Sequence, residues 1–221
     1  MRHPIRTPAP LTAALAAGLL LTGCGAPEPL PEVTQGPRPS AAPATSAPAA
    51  TAAPAAAAAS RVTVGGPGTA CALPVSFALA EKWEAEAIKN PEDPEFAVLT
   101  RQGPAVVRCE VDAKPAGHIG YLRVWTAAGK GPARPALEGF VKGEKDASKA
   151  VYKETVTGAL PVTEVTYTVH SELLDESKEE RAFAVATPKG TVILHVAGLD
   201  SEEYRAMLPA YELARSTLKV L

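Results

Sequence analysis

The stretch from residue 25 to residue 60 lacks the side chains from which a protein core is built. It contains 14 alanines and 8 prolines but no aromatic residue. Because so little apolar surface is present, burial cannot offset the entropy lost on ordering the chain. The prolines also interrupt every alanine run before a helix could form. We therefore predict a disordered tether over residues 24–69 and a single globular domain over residues 70–221.

The first 23 residues have the pattern of an export signal. They carry two basic residues, Arg2 and Arg6, and no acidic residue. Residues 11–21 then form an apolar run, which is shorter than the roughly 20 residues that a membrane-spanning helix needs. The pattern predicts a signal peptide rather than a transmembrane segment.

The apolar run ends in Leu21-Thr22-Gly23-Cys24, which resembles the lipobox of bacterial lipoproteins. The alternative is an ordinary secretory signal with a chance cysteine. The resemblance implies cleavage before Cys24 and attachment of lipid, palmitate included, to its thiol. Two or three acyl chains suffice for stable anchoring, so we expect the mature protein on the outer face of the cell membrane. The tether would then span roughly 35–40 Å as a coil.

The charge of the chain argues against some classes of partner. The full sequence has a net charge of −2, and loss of the two arginines in residues 1–23 makes the mature protein more acidic. Nucleic acid and anionic lipid headgroups are therefore poor candidates for the main partner. The high alanine and proline content suggests an actinobacterial source.

Alternating apolar residues predict several strands in the domain. Residues 73–79, 105–113 and 165–169 place apolar side chains at every second position, and residues 191–196 are apolar on both faces, as in a central covered strand. Helices are predicted over residues 135–149 and from about Ser201 onward, the second being capped by Asp200. This order predicts an α+β fold with an antiparallel sheet covered by helices.

The domain also resembles a known fold family. Phe77 and Trp83 near its start, and Gly190 and Gly198 before the last helix, are similar to features of the PsbP-like, or Mog-type, sandwich. This group includes an extrinsic photosystem II subunit and actinobacterial lipoproteins. The resemblance implies a docking or assembly factor without a shared catalytic site, and it transfers no functional residue to this chain.

Two cysteines are left once Cys24 is assigned to the lipid. Cys71 and Cys109 both lie in phase with apolar strand faces, and an exported protein meets oxidising conditions. We predict a disulfide between them, the alternative being two buried free thiols. The absence of a Cys-x-x-Cys motif argues against a thiol redox role.

No catalytic constellation stands out among the remaining polar residues. His118 and His170 are predicted at the surface, and Ser171 next to His170 would point to the opposite strand face. His195 lies in the predicted central strand without a second histidine at metal-ligand spacing. We predict no catalytic residue, no metal site and no cofactor, and we expect Trp83 and Trp125 to anchor the core.

An acidic run follows the strand that contains His170. It lacks the Asp-x-Asp-x-Asp spacing of a calcium loop, and basic residues are interleaved with the acids, so a solvated hairpin loop is predicted. The run consists of Glu172, Asp175, Glu176, Glu179 and Glu180.

Three functions remain open from the sequence. The leading hypothesis is a non-enzymatic binding or assembly module for an unknown envelope protein or lipid. A lipid carrier would require an apolar pocket between helices and sheet. A hydrolase with an unfamiliar site would require a cavity that brings a carboxylate and a Ser or Thr to His195, whereas a filled core around His195 would exclude it.

Overall fold

The computed structural model describes residues 55–91 and 93–221. Cys24 and the predicted signal peptide lie outside the described residues. The strands are β1 Ala59–Val64, β2 Val75–Ala80, β3 Glu84–Ala87, β4 Arg101–Gln102, β5 Ala105–Asp112, β6 Gly120–Ala127, β7 Ala147–Thr157, β8 Leu160–Ser171, β9 Glu176–Thr187, β10 Gly190–Gly198 and β11 Lys219–Val220. The helices are α1 Pro94–Ala97, α2 Ala133–Lys142 and α3 Ser201–Ser216.

Two antiparallel sheets and two long helices form the domain. The larger sheet has the strand order β3-β5-β6-β10-β9-β8-β7, and β4 pairs with the free side of the start of β5. The smaller sheet has the order β1-β2-β11. The small sheet and α3 cover one face of the large sheet, and α2 packs on part of the other face. The predicted α+β class with an antiparallel sheet covered by helices is confirmed.

Strand β10 is buried along its whole length, as its two-sided apolar sequence predicted. On the α3 face, Phe183 packs edge to face against Tyr211 with 5.6 Å between ring centroids. On the α2 face, Trp125 packs against Phe140 at 5.3 Å. Such aromatic pairs add stabilisation beyond the area they bury. Trp83 is also buried, so both tryptophans anchor the core as expected.

Helix α3 begins where the sequence predicted. The Asp200 side chain accepts hydrogen bonds from the backbone N–H groups of Glu202 and Glu203, each at 2.9 Å, which satisfies donors that a helix start leaves free. Pro209 does not split the helix, which continues to Ser216. The buried side chains on either side of Pro209 hold the helix against the sheet in spite of the missing hydrogen bond.

The domain starts earlier than the predicted boundary at residue 70. Strand β1 pairs with β2, and the Val64 side chain at its end is buried. Gly65 then turns with φ +87°, where a Cβ would lie 1.8 Å from the Val75 carbonyl oxygen. Because no proline follows Pro54 until Pro67, this part of the predicted tether is free to join a sheet.

One strand pairing and one helix end differ from what the local sequence suggests. Strand β3 pairs with β5 and does not form a hairpin with the preceding strand β2. The helix expected over residues 135–149 ends at Lys142, because Gly143 packs directly against the Gly103 backbone. The chain then turns into the long edge strand β7.

The predicted disulfide is present. Cys71 and Cys109 are bonded, with 5.8 Å between their Cα atoms, and both side chains are fully buried. The bond fastens the segment before β2 to the middle of β5. It therefore links the small sheet to the large one by a covalent bond.

Candidate functional site

Three neighbouring strands bring polar side chains together beneath the C-terminal end of α2. Tyr167 on β8, Glu180 on β9 and His195 on β10 all point to this face. The carboxylate oxygen Oε2 of Glu180 lies 2.8 Å from Nε2 of His195 and accepts a hydrogen bond from the Tyr167 hydroxyl at 3.2 Å. The Tyr167 hydroxyl is also 3.1 Å from the same histidine nitrogen.

Lys178 completes this network from the next inward-facing position of β9. Its Nζ lies 3.3 Å from the second carboxylate oxygen of Glu180 and donates a hydrogen bond to the Gly198 carbonyl. The Lys178 side chain is 14% exposed and that of Glu180 only 6%. Both oxygens of one buried carboxylate are thus occupied by positively charged or hydrogen-bonding partners. We call Tyr167, Lys178, Glu180 and His195 the buried network.

The surroundings shift the pKa values of the acidic groups in opposite directions. Burial alone would raise the pKa of Glu180, but the hydrogen bond and charge of His195, aided by Lys178, hold it below its usual range. Burial, with the Glu180 charge, raises the pKa of Tyr167 well above its ordinary value. The pKa of Glu144 is raised by burial and by the Glu180 charge. Glu180 is accordingly the anion of the network.

His195 itself is closed off from solvent. Its side chain is 3% exposed, and the ring of Phe140 packs edge-on against it with 5.4 Å between centroids. Within the described part of the chain, its hydrogen-bond partners are Glu180 and Tyr167, and Nδ1 has none. The structure therefore brings a carboxylate to His195 but neither a Ser nor a Thr, and it fills the space where a hydrolase site would have needed a cavity.

A cleft of about 370 Å³ opens at the end of the large sheet, next to the buried network. Lys178 and Tyr121 both line the cleft and connect it to the network. Lys178 is paired with Glu180, and the Tyr121 ring lies edge-on to His195 with 6.3 Å between centroids. The cleft is lined by Glu110, Asp112, Lys114, Ile119, Gly120, Tyr121, Ser171, Lys178, Ala197, Gly198 and Leu199. It is the part of the α2-side face that α2 itself does not cover.

Strand β6 positions the aromatic wall of this cleft. The Arg123 guanidinium lies 3.8 Å from the centre of the Tyr121 ring and forms an ion pair with Glu110 at 2.6 Å. Burial raises the pKa of Tyr121 to about 12, in spite of the lowering effect of Arg123. The Tyr121 hydroxyl therefore stays protonated at neutral pH and offers a hydrogen-bond donor.

The other two predicted surface histidines lie away from the buried network. His118 is 3.3 Å from the Glu203 carboxylate, and His170 is 3.8 Å from that of Asp175. Both side chains are at least one-third exposed. They occupy the surface positions that the sequence predicted.

Three residues of the predicted solvated acidic loop, Glu176, Glu179 and Glu180, belong instead to strand β9. Of these, Glu180 is buried and points inward. The signal was available, because Glu180 is in phase with the buried residues Ala182 and Ala184 two and four positions later. The surrounding acids hid that periodicity.

The space between α3 and the large sheet is nearly full. A cavity there, bordered by Phe77, Trp83 and Leu122, has a volume of about 10 Å³, which is too small for an acyl chain. A shallower groove of about 520 Å³ runs between residues 55–57 and α3. No helix within residues 55–91 and 93–221 is long and apolar enough to cross a membrane.

Comparison with known proteins gives a family but no curated relative. A search of curated proteins finds no match. The domain is similar to the solution structure of cyanobacterial PsbP (CyanoP) from Synechocystis sp. PCC 6803, at 15% identity and a TM-score of 0.45, over 71% of this chain and 96% of that one. Residues 40–218 match the model of a family described as uncharacterised lipoprotein. The chain belongs to this lipoprotein family.

Proposed function

We propose that the folded domain is a binding module, held on the outer face of the cell membrane by lipid on Cys24, that docks another component of the cell envelope. The observation that carries this proposal is the open cleft of about 370 Å³, lined by charged and apolar side chains at one end of the large sheet. Its volume falls in the range of roughly 300–1,000 Å³ that is typical of ligand sites.

The interior of the domain favours binding over catalysis or lipid transport. His195 is enclosed by its hydrogen-bond partners and by Phe140, so a substrate has no path to it in this conformation. The space beneath α3 is too small for a lipid chain. A binding role at the surface requires only an open cleft of the kind described above.

The anchor is tested by changing Cys24 to alanine. We expect wild-type protein in the membrane fraction and incorporation of labelled palmitate, whereas Cys24→Ala incorporates no label and leaves the membrane. A matched control is Cys71→Ala with Cys109→Ala, which keeps Cys24 and should still take up label. Membrane retention of unlabelled Cys24→Ala would contradict the proposed anchor.

The binding role is tested by cross-linking in intact cells that express the lipidated protein. We expect a discrete cross-linked product that disappears when an excess of the mature, unlipidated chain is added as competitor. Products that persist at the same level with competitor would reflect random encounters. In that case the domain would not be a binding module.

A further inference from the structure

Three segments that are far apart in the sequence meet around the cleft. Leu199 donates its backbone N–H to the Ile119 carbonyl at 2.9 Å, and Ser201 donates both its N–H and its hydroxyl to Glu176. Ser171 lines the cleft beside Leu199. We call residues 110–120, 171–178 and 198–203 together the loop end of the domain.

The loop end is strongly acidic. Its three segments carry eight Asp and Glu residues but only two lysines. One of these, Lys178, already lies 3.3 Å from Glu180, so its charge is largely balanced from within. The mature protein is acidic as a whole, but the imbalance is concentrated at this end. Such a surface attracts cationic partners and repels anionic ones.

Apolar side chains are exposed among these acids. Leu173 at the tip of the β8–β9 hairpin is 87% exposed, and Leu174, Ile119 and Leu199 are each at least 40% exposed. Ile119 and Leu199 border the cleft directly. Exposed large apolar residues that cluster around a concave site are typical of protein interaction surfaces.

We propose that the cleft is the docking site for a basic segment of a partner protein, in which a lysine or arginine side chain enters the cleft. The cation would lie against the Asp112 carboxylate, while neighbouring apolar side chains of the segment cover Ile119 and Leu199. This inference rests on the proposed binding function and adds the site and the chemistry of the partner.

The geometry of the cleft supports this occupant over an anionic one. The ion pair with Glu110 and the stacking on Tyr121 already engage the Arg123 guanidinium. Lys178 is engaged by Glu180 and Gly198. Arg123 and Lys178 are therefore engaged inside the protein, and Lys114 is the remaining basic residue that lines the cleft. The excess of acidic residues over lysines in the loop end as a whole is what favours a cation. Asp112, by contrast, is tied only to the backbone N–H of Lys114 within the described residues.

The test uses the mature chain with Cys24→Ala and two short amidated peptides, one alternating lysine and leucine and the other alternating glutamate and leucine. Methyl NMR measures chemical shifts at the loop end and at distant residues in the same spectrum. We expect the lysine peptide to shift the methyl signals of Ile119, Leu174 and Leu199, and to leave those of Leu137 and Leu160 unchanged. The glutamate peptide should shift none of them.

The strength of binding should depend on charge. Raising the ionic strength from about 0.1 M to 1 M shortens the screening length from about 10 Å to 3 Å, so the Kd for the lysine peptide should rise about tenfold or more. Asp112→Asn should also raise the Kd. The matched control is Glu95→Gln, which removes one surface charge elsewhere and should leave the Kd unchanged.

Several outcomes would overturn the docking site. These are equal binding of both peptides, binding without salt dependence, methyl shifts centred away from the loop end, or no binding. The salt titration uses unaltered cleft residues, so it decides the point even if Asp112→Asn folds poorly. If the lysine peptide fails to compete with a partner that cross-linking captures in cells, the binding function stands and this site for it is wrong.

Discussion

Glu180→Gln removes the anion that Lys178 and His195 share. In the structure one carboxylate oxygen lies 3.3 Å from the lysine Nζ and the other 2.8 Å from the histidine Nε2. All three side chains are at most 14% exposed, so water cannot replace the lost charge. The glutamine can keep part of the hydrogen bonding, but it leaves a buried ammonium group without a counter-ion.

Breaking a buried ion pair by removing one partner costs about 3–5 kcal/mol. For a folded domain of this size, that loss corresponds to a decrease in Tm of roughly 6–20 °C. The matched control is Glu172→Gln, which also removes a glutamate paired with a lysine. Glu172 lies 2.9 Å from Lys145, but both side chains are more than 70% exposed, so we expect only a small loss of stability.

The pH dependence gives a second readout of the same change. The pKa of Glu180 is lowered in the folded state, because the interactions with His195 and Lys178 outweigh the effect of burial. A carboxyl group with a lowered pKa stabilises the fold above its unfolded value and loses that contribution as pH falls through the folded value. The stability difference between wild type and Glu180→Gln should therefore be constant near neutral pH and narrow below about pH 4.5.

Urea unfolding of the two variants and wild type, followed by circular dichroism from neutral to acidic pH, measures both effects. The reasoning is refuted if Glu180→Gln is within 1 kcal/mol of wild type at neutral pH, a margin about equal to that of an exposed pair. It is also refuted if Glu172→Gln loses as much stability. A difference that widens on acidification would show that the assigned direction of the Glu180 pKa is wrong.

Two further predictions concern the disulfide bond and the turn after β1. Cys71→Ala with Cys109→Ala opens a loop of 38 residues and should lower the free energy of unfolding by about 4 kcal/mol in the chain-entropy model. In the non-reduced wild type, neither Cys71 nor Cys109 should react with an alkylating reagent. Gly65→Ala places a Cβ on the Val75 carbonyl oxygen. Gly68 has a similar φ but open space around it, so Gly68→Ala should lower the free energy of unfolding by about 1–2 kcal/mol and Gly65→Ala should lower it more. Thermal unfolding of both variants measures the difference.

The sequence predicted those elements whose pattern is local. Period-two alternation located β5 and β8, two-sided apolarity located β10, and the Asp200 cap located the start of α3. The positions of Cys71 and Cys109, each in phase with the apolar side chains of its segment, also pointed to a disulfide bond between them. Each of these features depends on residues within one segment, or on the oxidising compartment that the predicted export signal would imply.

Other features depend on contacts between segments that are distant in the sequence, so no single segment predicts them. Strand β1 has too few apolar residues to be recognised alone, and it is ordered because β2 offers a free edge. Helix α2 ends early because Gly143 meets Gly103, which lies in the distant turn between β4 and β5. The cleft was missed for the same reason, since most of its residues come from five strands that only the sheet order brings together. Glu180 was missed because an acid in an acidic run looks solvated.

The buried network and the cleft are linked through the same lysine. A buried ion pair is weak evidence for stability, because apolar side chains of similar volume often stabilise a core equally well. Lys178 also binds the Gly198 carbonyl, so it ties β9 to the last residue of β10. The next residue, Leu199, lines the cleft and is hydrogen-bonded to the neighbouring lining residue Ile119. Glu180 and His195 thereby hold the floor of the cleft at a fixed position relative to its rim, and a loss of that anion should loosen the docking surface as well as the core.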